Sequence, residues 1–210
     1  MMPGTRAMLA GGAILAAALG VGLAVYGTGR TGGNSGPCAG AAPAIARLAP
    51  FARGAVAALE AVETPRPAPE LTFKGPDGGD TTLSALRGRL LLVNLWATWC
   101  GPCKAEMPAL DRLQAEMGGP DFAVVAINVD TRNLDKPAQW LRDNGIARLA
   151  YYADPGGRVL PAIQKDTGSQ GLPTTMLIDA EGCTLGVMKG PAEWSGPDAK
   201  RLVGAALGRD

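Results

Sequence analysis

Residues 90–97, LLLVNLWA, are apolar at every position but Asn94, and two residues later comes Cys100-Gly101-Pro102-Cys103. An unbroken apolar run of β-formers reads as a strand buried on both faces, which needs cover above and below it. Residues 101–117 continue with helical periodicity through Met107, Leu110, Leu113 and Met117, then stop at Gly118-Gly119. A buried strand feeding directly into a helix restricts the chain to an α/β architecture and puts Cys100 at the junction.

The remainder of the C-terminal part alternates in the same way. FAVVAINVD (122–130) reads as a second buried strand, KPAQWLRDNG (136–145) as a helix stopped by Asn-Gly, and LAYYA (149–153) as a third strand. A short helix near 157–165 precedes two strands in LPTTMLIDAEGCTLGVMKG, joined by a turn at Ala180-Glu-Gly-Cys183, and residues 195–207 form a closing helix. Upstream, ELTFKGPDGGDTTL reads as two short strands around a Pro-Asp-Gly-Gly turn. The expected domain, residues 70–210, is a sheet of mixed strand directions covered by helices.

The N-terminal third is organised differently. Residues 7–26 carry no charge and, as a helix rising ~1.5 Å per residue, would reach about 30 Å, one hydrocarbon core. Arg6 before them favours a cytoplasmic N-terminus, with the body outside the cytoplasm. The alternative is a cleaved signal peptide. The apolar run exceeds the usual ~7–15-residue signal core, and no A-x-A cleavage site follows. Residues 1–27 are therefore expected to be an anchor, 28–37 a Gly-rich flexible tether and 38–69 a helical extension and linker. In the extension, residues 41–63 show near-helical spacing through Ile45, Leu48, Val56, Leu59 and Val62, as one helix or two around Pro50 and Gly54. TPRPAP (64–69) follows as a stiff connector.

Composition narrows the chemistry. With 20 Lys+Arg against 19 Asp+Glu there is no nucleic-acid footprint, and without histidine the usual general base and metal ligand are missing. Four cysteines remain: Cys38, Cys100, Cys103 and Cys183. The close pair admits three readings. Two thiolates leave zinc two ligands short unless Cys38 and Cys183 complete a four-thiolate site. A purely structural bond at this spacing is uncommon. A redox centre fits best, because a helix start offers unpaired N–H groups and partial positive charge that favour a thiolate. A cysteine of pKa near 8.5 is only ~3% ionised at pH 7, and one tuned to about 7 is about half ionised. Gly101 permits a tight turn there, Pro102 suits a first helical turn and Lys104 adds positive charge.

LLVNLWATWCGPCK and the downstream GLPTT resemble the thioredoxin superfamily. Together with the apolar N-terminus, VNLWATWC, EMPAL and GPAEW resemble more closely the TlpA group of membrane-anchored thioredoxin-like proteins. The resemblance implies a thioredoxin fold with a central α-β insert at about 130–153, a single N-terminal transmembrane helix and a short helical extension. It implies that Cys100 is the nucleophile and Cys103 the resolving thiol, and that Pro173 is a cis-proline. Leu172, Pro173 and Thr174 would meet an extended substrate, as would Trp99, Gly101 and Pro102 beside the dithiol. Pro108 matches the proline inside the family's active-site helix. Trp96, Trp140 and Trp194 read as packing. Thioredoxins carry a buried aspartate where this chain has Asn94, so Glu106, one turn past Cys103, is either a substitute acid-base group or a solvated helix residue. A structural disulfide between Cys38 and Cys183 is likewise implied by the resemblance; the alternative is further free redox thiols.

The function so implied is a periplasmic, inner-membrane disulfide reductase without cofactor or metal. It would be fed by a membrane electron donor of the thioredoxin-relay type and serve cytochrome oxidase assembly, with a copper chaperone and the copper-binding subunit as clients. Reduction of apocytochrome c is a second reading, and a copper-binding chaperone using the cysteines as ligands a third.

Overall fold

The computed structural model describes residues 36–209. After a 3-10 turn at Ala39–Ala41 come α1 (Ala42–Leu48), two further 3-10 turns, β1 (Leu59–Pro67), β2 (Thr72–Lys74), β3 (Asp80–Thr82) and β4 (Leu90–Trp96). Next are α2 (Gly101–Met117), β5 (Phe122–Asn128), α3 (Lys136–Asp143), β6 (Tyr152–Ala153), α4 (Val159–Thr167), β7 (Thr174–Ile178), β8 (Cys183–Lys189) and α5 (Pro197–Ala206). The strands form one eight-stranded sheet in the order β1-β8-β7-β4-β5-β6-β2-β3.

At the centre, β4 is buried at all seven positions. It pairs parallel with β5, through the α2 crossover, and antiparallel with β7. Leu91, Leu92, Val93 and Leu95 are at most 1% exposed, which explains why this strand reads as one apolar run. Trp96 is fully buried and packs at a tilt on Trp140 of α3, ring centres 5.7 Å apart. α3 thus seats on the central strand.

Two sequence expectations are corrected. The helical extension ends early: α1 and the 3-10 turns stop at Val56, and residues 59–67, read as helix and then stiff connector, are strand β1. Pro50 and Gly54, whose φ is 58°, break the helix. Val62 and Thr64 beyond them suit a strand, and β8 supplies the pairing partner, from Leu59↔Met188 to Pro67↔Cys183. The third expected strand, 149–153, shrinks to Tyr152–Ala153. The amides of Arg148 and Leu149 donate instead to Asp111 Oδ1 on α2, at 2.6 and 3.1 Å, so the chain there is tied to a helix and not to a neighbouring strand.

β1 lies close against β8. A Cβ added to Gly186 would sit 2.8 Å from Leu59 Cδ2 and 3.3 Å from the Glu60 carbonyl oxygen. Gly186→Ala is therefore expected to push β1 outward and cost about 1–3 kcal/mol, measured by urea unfolding. Among the described residues no helix is long and apolar enough to cross a membrane. The expected anchor, 1–27, and most of the expected tether, 28–37, lie outside them.

Candidate active site

β4 delivers the chain to Cys100, which caps α2. Its backbone is extended (φ −90°, ψ 104°), and the Cys103 N–H donates to Cys100 Sγ at 3.2 Å. An orphan amide at a helix start thus already points at this sulfur, where it stabilises negative charge. Cys100 and Cys103 are bonded to each other in the structure. Cys100 is 6% exposed and Cys103 0%, so an incoming sulfur can reach only the first of them. Pro102 stands in the first turn of α2, and Pro108 is exposed within the same helix. Gly101 has no positive φ and open space around its Cβ position, so the turn makes no special demand for glycine there.

The neighbouring elements converge on the same end of the sheet. The register Leu95↔Thr174 brings the Leu172-Pro173 peptide, which is cis, to the end of β4 that leads to Cys100. Thr174 is buried, its hydroxyl donating to the Gly171 carbonyl at 2.8 Å. Trp99 is 67% exposed beside the dithiol. The loop before it is clasped to the insert: Thr98 donates through its amide to Asp130 Oδ2 (2.8 Å) and through its hydroxyl to Oδ1 (2.9 Å).

Glu106 overturns the reading of it as a solvated helix residue. It is 3% exposed and lies in a closed network. Asn94 Nδ2 donates to its Oε1 at 2.7 Å, and the Ala192 amide and the Trp194 indole N–H both donate to its Oε2 at 3.1 Å. Burial pushes its pKa up to about 7, and the three hydrogen bonds only partly oppose that shift. Asn94 Nδ2 also donates to Thr175 Oγ1 at 2.9 Å, leaving Asn94 Oδ1 buried without a partner. The packing role read for Trp194 was incomplete, since its indole N–H holds the carboxylate. The signal available was the single polar residue in an apolar run, Asn94, which has to face a polar partner.

The other two cysteines, each 3% exposed, form a bond between the start of the described chain, Cys38, and the first residue of β8, Cys183. Ile178 pairs with both Leu91 and Thr184, so Cys183 sits at the opposite end of the sheet from Cys100. Separate pairing at opposite ends sets aside a shared four-thiolate site. Among the described residues no group of three or more His, Cys, Asp or Glu side chains is placed to hold a metal ion.

Comparison with known proteins fits this geometry. Residues 65–184 match the model of the AhpC/TSA family. The thioredoxin-like protein YneN of Bacillus subtilis is 33% identical over 55% of this chain and 65% of its own length. The thiol:disulfide interchange protein DsbE of Vibrio cholerae is 38% identical over 47% of this chain and 49% of its own. The chain therefore spans about half to two thirds of these curated relatives. Among solved structures, a thiol:disulfide interchange protein of the thioredoxin family from Chlorobium tepidum superposes with a TM-score of 0.56 and 32% identity, over 70% of this chain and 99% of that one. By the matched residues, the chain belongs to the AhpC/TSA family, and it shares the thioredoxin-like fold of these relatives.

Proposed function

We propose that this chain is a membrane-anchored periplasmic protein disulfide reductase. Reduced Cys100, as the thiolate, attacks one sulfur of a client disulfide. The client S–S bond breaks, a Cys100–client bond forms, and the second client sulfur leaves and takes up a proton. Cys103 then gives its proton to Glu106 and attacks Cys100, which closes the Cys100–Cys103 bond and releases the client as a dithiol. Two electrons pass to the client, and a membrane electron donor of the thioredoxin-relay type restores the dithiol.

The observation that carries the reading is the asymmetry of the pair. The accessible sulfur holds the helix-start N–H, and its partner is wholly buried. Glu106 serves as the acid-base group, supported by its burial and its pKa of about 7. Trp99 and the backbone at Leu172, Pro173 and Thr174 receive the client segment. The Gly-Pro dipeptide between the cysteines argues for a potential near that of thioredoxin, about −270 mV; a measured value above roughly −180 mV would reverse the direction of transfer. The clients proposed are a copper chaperone and the copper-binding subunit of cytochrome oxidase, whose cysteines must be reduced to take copper.

Cys103→Ser is expected to stall the mixed disulfide. In cells, the variant should be recovered covalently attached to a copper-binding protein and released from it by dithiothreitol. Recovery of apocytochrome c would move the client assignment, and failure to form any adduct would defeat the reductase reading.

A further inference from the structure

Only two large apolar side chains among the described residues stand out into solvent, Trp99 at 67% exposure and Leu134 at 49%. Trp99 lines a groove beside the dithiol, and Leu134 lies on the loop that borders it. Thr98 and Trp99, just before the dithiol, and residues of the insert's leading loop line an open groove of about 470 Å³. Leu134 lies between two lining residues of that loop, Asn133 and Lys136. Asn133 is the one residue other than glycine with a positive φ, 52°, among those described. The turn there is closed by the Lys136 amide donating to the Asn133 carbonyl at 2.9 Å.

The free charge of the groove is basic. Arg132 and Lys136 line it, and neither joins an ion pair among the described residues. Asp130, the acid of the lining, is 5% exposed and pairs with neither of them, so the lining holds two cations against one carboxylate. Its Oδ1 accepts from the Thr98 hydroxyl, and its Oδ2 accepts from the Thr98 amide and, at 2.8 Å, from Asn128 Nδ2. Leu134 and Asp135 are both exposed on the same loop, next to the lining and not part of it. Two unpaired cations therefore flank exposed apolar surface next to an attackable sulfur.

We propose that this groove selects client polypeptides by acidic residues close to the reactive cysteine. The inference rests on the reductase reading above. A protein disulfide presented to Cys100 carries its flanking residues across this surface. An Asp or Glu side chain there meets the Arg132 fork and Lys136, and an apolar neighbour packs on Trp99. The groove thus favours acidic segments and repels basic ones, mainly by speeding encounter.

The test uses the full chain, reduced and freed of reductant. It compares two disulfide-bonded peptides that differ only in Asp and Glu or Lys and Arg beside the cysteine, with dipyridyl disulfide as a small uncharged substrate. The expected result is a single-turnover second-order rate constant about 10-fold higher for the acidic peptide at low salt, with the preference fading at about 0.5 M salt as charges are screened. The pair Arg132→Glu and Lys136→Glu should invert the preference. Arg132→Gln with Lys136→Gln should abolish it, and serves if charge reversal impairs folding. Equal rate constants for the two peptides, or an acidic preference that survives either pair, would overturn the proposal. Failure of the wild-type chain to reduce dipyridyl disulfide would instead overturn the reductase reading itself.

Discussion

Glu106→Gln is expected to lower kcat/KM for disulfide reduction by about 10²-fold, the low end for a general acid-base group. It should also erase an ionisation near pH 7 from the pH–rate profile. The glutamine variant can fold, because its carbonyl oxygen still accepts from Ala192 and Trp194 while its amide turns toward Asn94. A rotation of the Asn94 side-chain amide would bring its Oδ1 round to accept from it, in exchange for the Nδ2 bond to Thr175 Oγ1. Glu106→Ala lacks that compensation and strands the Trp194 N–H, at about 1–3 kcal/mol for each buried group left without a partner.

The same carboxyl makes stability depend on pH, with a definite sign. Its pKa rises from 4.5 to about 7 on folding, so between those values the folded chain holds a proton that the unfolded chain has released. Its stabilising contribution is full below that window, falls as pH rises through it and is gone above it. The gap amounts to about 3 kcal/mol. Urea unfolding at several pH values should show this decline in the wild type and lose it in Glu106→Gln. An unchanged slope in the variant would show that another group is responsible.

Cys38→Ser with Cys183→Ser is expected to cost about 2–5 kcal/mol. The bond spans a sequence separation of 145, and on the chain-entropy model closing so long a loop restricts the unfolded chain by about 5 kcal/mol at most. Both sulfurs are 3% exposed, so loss of packing adds to the effect. Thermal unfolding of the double variant should show a lowered Tm, and insulin reduction below that Tm should persist, because the two bonds occupy opposite ends of the sheet. Loss of insulin reduction in the folded variant would instead tie the distant pair to the chemistry.

What could be read in advance followed the range of the interactions involved. β4 and α2 were legible because their signals are local: an apolar run, then 3.6-residue periodicity bounded by Cys100 and Gly118. β1 was not, since Leu59 and Val62 suit a helix face and a strand equally well. Its partner β8 arrives over a hundred residues later, as in Glu60↔Val187. Glu106 was half legible. Its position one turn past Cys103 marked it as a candidate, but its burial depends on Trp194, 88 residues away, closing over it. The groove at Arg132 and Lys136 went unread because no local pattern shows that an insert loop returns beside Trp99.

The outermost strand has one more consequence. β1 carries Pro65 and Pro67, which offer no N–H to a newcomer, and its pairing with β8 slips between Ala61 and Arg66. At the other border β3 has only three residues. A sheet finished this way gives stray extended chains no seam along which to add themselves. For a molecule proposed to handle half-folded clients, that keeps company brief: among the described residues neither border of the sheet invites a visitor to stay after it has received its electrons.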